Sequence, residues 1–169
     1  MSVLPLTLVA AEDSLHWEQR LSPRSVSLAK ADSVVADLLP ARAPEVNWVP
    51  PDELRRAARR GAGVAVSPDQ MGTSLLRASG MTDVPDPLRS QLRTLTALAG
   101  TGRYALVPAA LVFKKAKAPA AGVATAELTV VMVDVRLGKV GFQTIARGDG
   151  DDPWTALTRA VKALTPGLP

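Results

Sequence analysis

The sequence predicts a mixed α/β fold of the α+β kind: one domain over residues 1–169, built on a mixed β-sheet of about five strands with helices packed on it. Three observations predict it. Alternating apolar runs and runs with helical spacing follow one another in the order β, α, β, α, α, β, β, β, α. Residues 125–136 and 140–148 read as two strands of a hairpin. A length of 169 residues, with 47% hydrophobic and 21% charged side chains, is enough for one core without staples. Aromatics make up only 4%, so that core must come from Ala, Val and Leu.

In chain order, residues 3–9 read as a first strand and 26–39 as a helix. The apolar positions Val26, Ala29, Val34 and Leu38 follow helical spacing, and Pro40 ends the run. "EVNWVP", 45–50, reads as a short strand closed by Pro50 and Pro51. Residues 51–60 then form a helix with Asp52 and Glu53 early and arginines late, capped by Gly61, as the helix dipole favours. Residues 62–86 give a weak pattern, with a helical turn or two around 70–77. From Asp86 as cap and Pro87 as first residue, Leu88, Leu92 and Leu95 share one helix face opposite Arg89 and Arg93, and Gly100 stops the run. Residues 103–113 read as a strand in which Pro108 demands an edge position or a bulge. "KKAKAPAAGVA" follows as a mobile basic loop, and then the hairpin turns on Arg136, Leu137 and Gly138, with Gly138 left-handed. The last helix is capped by Asp152, with Pro153 first.

The chemical inventory argues against catalysis. No cysteine is present, which removes thiolate catalysis and cysteine-based metal sites. His16 is the only histidine, and Glu12, Asp13 and Glu18 beside it have no helical register to converge on a metal; it reads as a loop residue. "GDGDDPW", 148–154, lacks the closing Glu of a calcium loop and is explained as a strand exit and a helix cap. "RRGAG" and "GTG" lack phosphate-loop spacing, and no serine sits in a GxSxG elbow. Asp134, alone in "VMVDVRLGKVGF", shares a strand face with Arg136 near the hairpin tip and reads as a solvated pair with it. The reading therefore assigns no catalytic residue, no cofactor and no metal.

What is left is contact. The net charge of +4 permits association with anionic surfaces. Arg55, Arg56, Arg59 and Arg60 fall at positions that form one guanidinium patch on a helix, or simply complement the dipole at its C-terminal end. Lys114, Lys115 and Lys117 make a second basic site, without interleaved aromatics to stack bases. Trp48 reads as core, and Trp154, in the first turn of the last helix, is the candidate interface anchor. No run approaches the ~20 apolar residues needed to span a bilayer, and the start lacks a basic n-region, so the expected place is peripheral to a bacterial membrane with the side open: periplasmic if an upstream signal was removed, otherwise cytoplasmic.

"VLPL", "EVNWVPPDELRRAAR", "LAGTGRYALVPAALVF" and "LTVVMVDVRLGKVGF" occur in an order that resembles the amino-terminal domain of TolB-type proteins and CsgG-like curli-assembly lipoproteins. The resemblance covers residues 3–165. It departs from the pattern in lacking a lipobox cysteine and in having Leu137 where Thr is commoner. It carries over only structural positions, Asp134, Gly138 and Tyr104. It implies a non-catalytic module that binds proteins at a bacterial membrane or in an envelope assembly. The functional expectation is thus an accessory protein docked peripherally on a membrane-associated complex, such as an extrinsic subunit of a photosynthetic reaction-centre and antenna assembly. Protein subunits are its expected partners, with anionic lipid headgroups as a further class. The alternatives are a nucleic-acid-binding module using Arg55 to Arg60, and a metal-dependent enzyme using Asp149, Asp151 and Asp152.

Overall fold

Pro5 decides how the sheet begins. In the computed structural model, which describes residues 1–117 and 123–164, the expected strand over 3–9 is two pieces, β1 (Ser2–Val3) and β2 (Val9–Ala11). Both run parallel to β3 (Tyr104–Lys115). Proline has no N–H for a ladder, and the chain leaves the strand there. The next amide, Leu6, would be orphaned; the Asp32 carboxylate accepts from it at 2.7 Å.

On the other side of the gap, β3 carries its own irregularity. Its antiparallel pairing with β4 (Ala124–Asp134) slips between Pro108 and Ala110, leaving Ala109 as the extra residue. Pro108 therefore sits in an inner strand and is accommodated by a bulge, one of the two arrangements its presence demanded. The bulge also resets the side-chain alternation. Ala105, Val107 and Ala109 face one core, whereas Leu111 and Phe113 face the other. β5 (Lys139–Gly150) completes the order β1-β3-β4-β5, with β2 beside β3. The β4–β5 turn spans four residues, 135–138, one more than expected, and Gly138 takes the left-handed conformation at φ 68°.

Helices cover both faces. On the first lie α1 (Arg24–Arg42) and α4 (Pro153–Ala163), packed with Leu106, Leu111, Phe113, Leu128 and Val130. On the second lie α2 (Pro51–Arg60) and α3 (Leu88–Leu98), together with 3-10 turns at Pro68–Gln70 and Thr73–Arg77 where the pattern was weak. Leu88, Leu92 and Leu95 are buried as their spacing predicts, each contributing about 1.5–3 kcal/mol of transfer free energy.

Further expectations are corrected in the helices and at 45–50. Helix α1 runs past Pro40 to Arg42, and it buries Ser27, Ala31, Asp32, Val35 and Leu39. The expected stripe is rotated outward, leaving Val26 58% exposed. Asp32 faces inward in this rotation, accepting from the Leu6 amide at the strand break and from Arg55 on α2. "EVNWVP" forms no strand: only Val49 bridges to Ser2, and Pro50 and Pro51 allow no more. Trp48 is half-buried, its indole donating to the Ala43 carbonyl at 2.9 Å. Finally, α3 starts at Leu88 with Pro87 as the cap residue, while Asp86 accepts from the Ser90 hydroxyl.

Candidate functional site

The second sheet face is covered over only part of its length. Helices α2 and α3 lie over Ala105, Val107, Val131 and Val133. Beyond the Ala109 bulge the same face carries Lys114, Thr125, Glu127, Arg147 and Asp149, which line an open groove of about 620 Å³ together with Lys115 and Lys117. Alternation puts these residues outward, and the strands hold them in register: Glu127 stands opposite Arg147, and Thr125 opposite Asp149. Glu127 takes Lys114 Nζ at 2.5 Å and Arg147 Nε at 2.9 Å. The Lys114 hydrogen bond, helped by Arg147, holds its carboxyl below the usual range. Thr125 donates to Asp149 at 2.6 Å. Both groove acids are therefore occupied from within. Lys115 and Lys117 are exposed beside them, and only the Lys115 backbone is tied down, its amide donating to Glu12 at 2.9 Å. Residues 118–122 of the expected basic loop, and 165–169 after α4, lie outside the described residues.

The arginines of α2 do not form the continuous patch that their spacing suggested. Arg55 turns into a ring of acids, with Nη2 2.6 Å from Asp32, Nη1 2.8 Å from Asp52, and Nε and Nη2 both on Asp69. The Asp69 hydrogen bond in turn lowers the pKa of that acid. Burial acts the other way on Asp32 and pushes its carboxyl up, against the Leu6 amide and Arg55. Arg55 is thus an internal clamp between α1, α2 and the 3-10 turn at Pro68–Gln70. Arg56 and Arg60 line a separate depression with Glu53, Val49 and Ala99, and Arg59 is exposed.

Asp134 is not the solvated partner of Arg136. It is 6% exposed and binds Arg103, with Nε at 2.6 Å and Nη2 at 2.5 Å. Arg136 contributes only its backbone amide, which with that of Leu137 donates to Asp134 Oδ1 at 3.0 Å. Arg103 holds this carboxyl below the usual range. The two-residue spacing correctly put Asp134 beside the turn, but nothing in it pointed to a residue thirty-one positions upstream.

His16 is exposed at φ 52°, closing a 3-10 turn at Asp13–Leu15. The "GDGDD" segment is explained by packing. A Cβ on Gly148 would lie within 2.5 Å of the Ala156 carbonyl, and one on Gly150 would be 2.6 Å from the Ala156 amide. Asp152 then caps α4 by accepting from the amides of Trp154 and Thr155, and its bond from the Thr155 hydroxyl lowers its pKa. No group of three or more His, Cys, Asp or Glu converges as metal ligands among the described residues. Trp154 is half-buried against the first core, with Lys30 Nζ 4.6 Å from its ring centroid. The residue that sequence reasoning missed is Asp32. Its only signal was an acid one position off the apolar stripe, in a chain whose first strand contains a proline.

No family model and no curated protein matches the chain, so the resemblance to TolB and CsgG-like domains rests on its sequence motifs alone. Among solved structures, the chain is similar to the LpoB C-terminal domain from Salmonella enterica at 12% identity. That match covers 89% of this chain and 81% of that one, with a TM-score of 0.38. No described helix is long and apolar enough to cross a membrane.

Proposed function

We propose that residues 1–169 act as one non-catalytic accessory unit, docking peripherally on a membrane-associated bacterial complex by holding an acidic protein surface against the charged half of the sheet. The observation that carries this reading is the groove beyond the Ala109 bulge, where Glu127 and Asp149 are satisfied internally while Lys115 and Lys117 stay exposed. Such a surface presents positive charge at the end of β3 and just past it, which steers and orients an acidic partner more than it adds raw affinity. Trp154, half-buried against the first core, is the apolar anchor proposed in addition. The nucleic-acid reading loses support because Arg55, at the head of its patch, is held by three carboxylates.

The test is detergent extraction of the tagged protein from its native membranes, with cross-linking, beside the Lys115→Glu/Lys117→Glu variant. The expected result is a defined set of complex subunits cross-linked to the wild type, released by raised salt and lost in the variant. A wild type that stays monomeric and uncross-linked contradicts the proposal, as does a variant that retains the same subunits.

A further inference from the structure

At the other end of β3, some twelve residues from the lysine groove and so roughly 35 Å away, three arginines from three separate elements line one cavity. Arg93 comes from α3, Arg103 from the α3–β3 connection, and Arg136 from the β4–β5 turn; Thr96, Thr101, Gly102 and Val135 complete the walls of a space of about 220 Å³. No acid is among the lining residues. Beside it, Asp134 engages Arg103 through Nε and Nη2 and leaves its Nη1 over. The side chains of Arg93 and Arg136 have no hydrogen-bonded or ionic partner among the described residues.

Three carbonyls at the end of α3, potential partners for a nearby guanidinium, already accept backbone bonds. Leu95 O accepts from Ala99 N, Thr96 O from Thr101 N, and Ala97 O from Gly100 N. The threonine hydroxyls are committed too. Thr96 donates to Leu92 O, and Thr101 donates to Thr96 O while accepting from Ser2. The cavity thus offers guanidinium donors from three elements, with Arg103 held in place by Asp134, to a ligand that must bring the acceptors. Planar forks of this kind match the oxygens of a phosphate in pairs.

We infer that the Arg93–Arg103–Arg136 cavity is a binding site for a phosphate-type oxyanion, either free or as a lipid headgroup. A single orthophosphate leaves much of the space empty, so a diphosphate or a headgroup with its glycerol fits better.

The inference stands apart from the proposed docking groove, and the experiment separates them. Amide resonances of Thr101, Gly102, Val135 and Arg136 are followed during titration with pyrophosphate at constant ionic strength set by chloride. A parallel arm measures co-sedimentation with phosphatidylcholine vesicles, with and without phosphatidylglycerol. The variants are Arg93→Gln/Arg136→Gln, which leaves the Arg103–Asp134 pair intact, and Lys115→Glu/Lys117→Glu as the control at the distant end. The expected result is saturable binding in at least one arm, weakened tenfold or more in the arginine variant and unchanged in the lysine variant. Saturation with pyrophosphate identifies a soluble ligand, and binding only to phosphatidylglycerol vesicles identifies a headgroup. No saturation in either arm overturns the inference, as does equal binding by the arginine variant, provided that its amide spectrum shows the wild-type fold.

Discussion

Four donors converge on the Asp134 carboxylate: two from Arg103, and the backbone amides of Arg136 and Leu137. Without it the two amides at the turn and the guanidinium lose their acceptor together, while the Gly138 amide keeps its bond to the Asp134 backbone carbonyl. Asp134→Ala is expected to cost about 2 kcal/mol, in the range for losing a charged cap. Asp134→Asn keeps an amide acceptor and should recover part of that loss; urea unfolding of the three proteins decides. Equal midpoints for Asp134→Ala and wild type would remove the turn-capping role. The aspartate's position beside a turn was legible in its spacing from Arg136 and Gly138. Its partner was not, because a contact across thirty-one residues leaves no local periodicity. Asp32 makes the same point on α1. A helical stripe is judged by its apolar positions, but here the rotation brings an acid inward, where it accepts from Leu6 and Arg55.

At the scale of elements, the sheet owes its shape to places where regular pairing fails. Pro5 splits the first strand, Ala109 turns the alternation of β3 inside out, and Gly148 lets α4 lie directly on β5. Glycine at 148 is required by contact with the Ala156 carbonyl and the Ala160 amide, backbone atoms that cannot rotate away. Gly148→Ala is therefore expected to destabilise by about 2–3 kcal/mol, as overpacking does. Ala146→Gly on the same strand, which removes a side chain instead, should cost only about 1 kcal/mol. Chemical denaturation gives both numbers, and a harmless Gly148→Ala would mean that α4 does not sit against β5 as described. Helices α3 and α4 and the hairpin were readable because each combines strong apolar spacing with its own punctuation, such as Pro153 after Asp152 or Gly138 in the turn, and α2 was readable from its charge order between Pro51 and Gly61. "EVNWVP" misled because a β-like run of six residues has no partner once two prolines follow it. The charged half of the second face was hidden for a related reason. Lys114 and Lys117 were visible as a basic cluster, but that Glu127 and Arg147 stand beside them depends on strand register.

For the whole molecule, a few acids are held by the fold: Asp32 and Asp134 are buried and Glu127 and Asp152 half-buried, while most other charged side chains, acidic and basic, are exposed. Asp69, Glu127, Asp134 and Asp152 all have carboxyls held below the ordinary range by hydrogen bonds from Arg55, Lys114, Arg103 and Thr155 respectively. Their unfolded values lie near about 4. Each contributes stability that is fully present above that value and is lost as pH falls through the lower, folded one. Asp32 has the opposite sign: burial raises its folded pKa, so its charged form costs stability at neutral pH and that cost is relieved on acidification. The net expectation is a stability plateau around neutral pH that falls away below about pH 4. Both proposed surfaces rest on basic side chains that face solvent, Lys115, Lys117, Arg93 and Arg136, beside acids engaged within the fold, Glu127 and Asp134. The most direct test is a carboxyl-resolved NMR titration of the folded protein. Glu127, Asp134 and Asp152 should titrate below, and Asp32 above, the values of free side chains; ordinary values at Glu127 and Asp134 would show that these acids are not held by the fold.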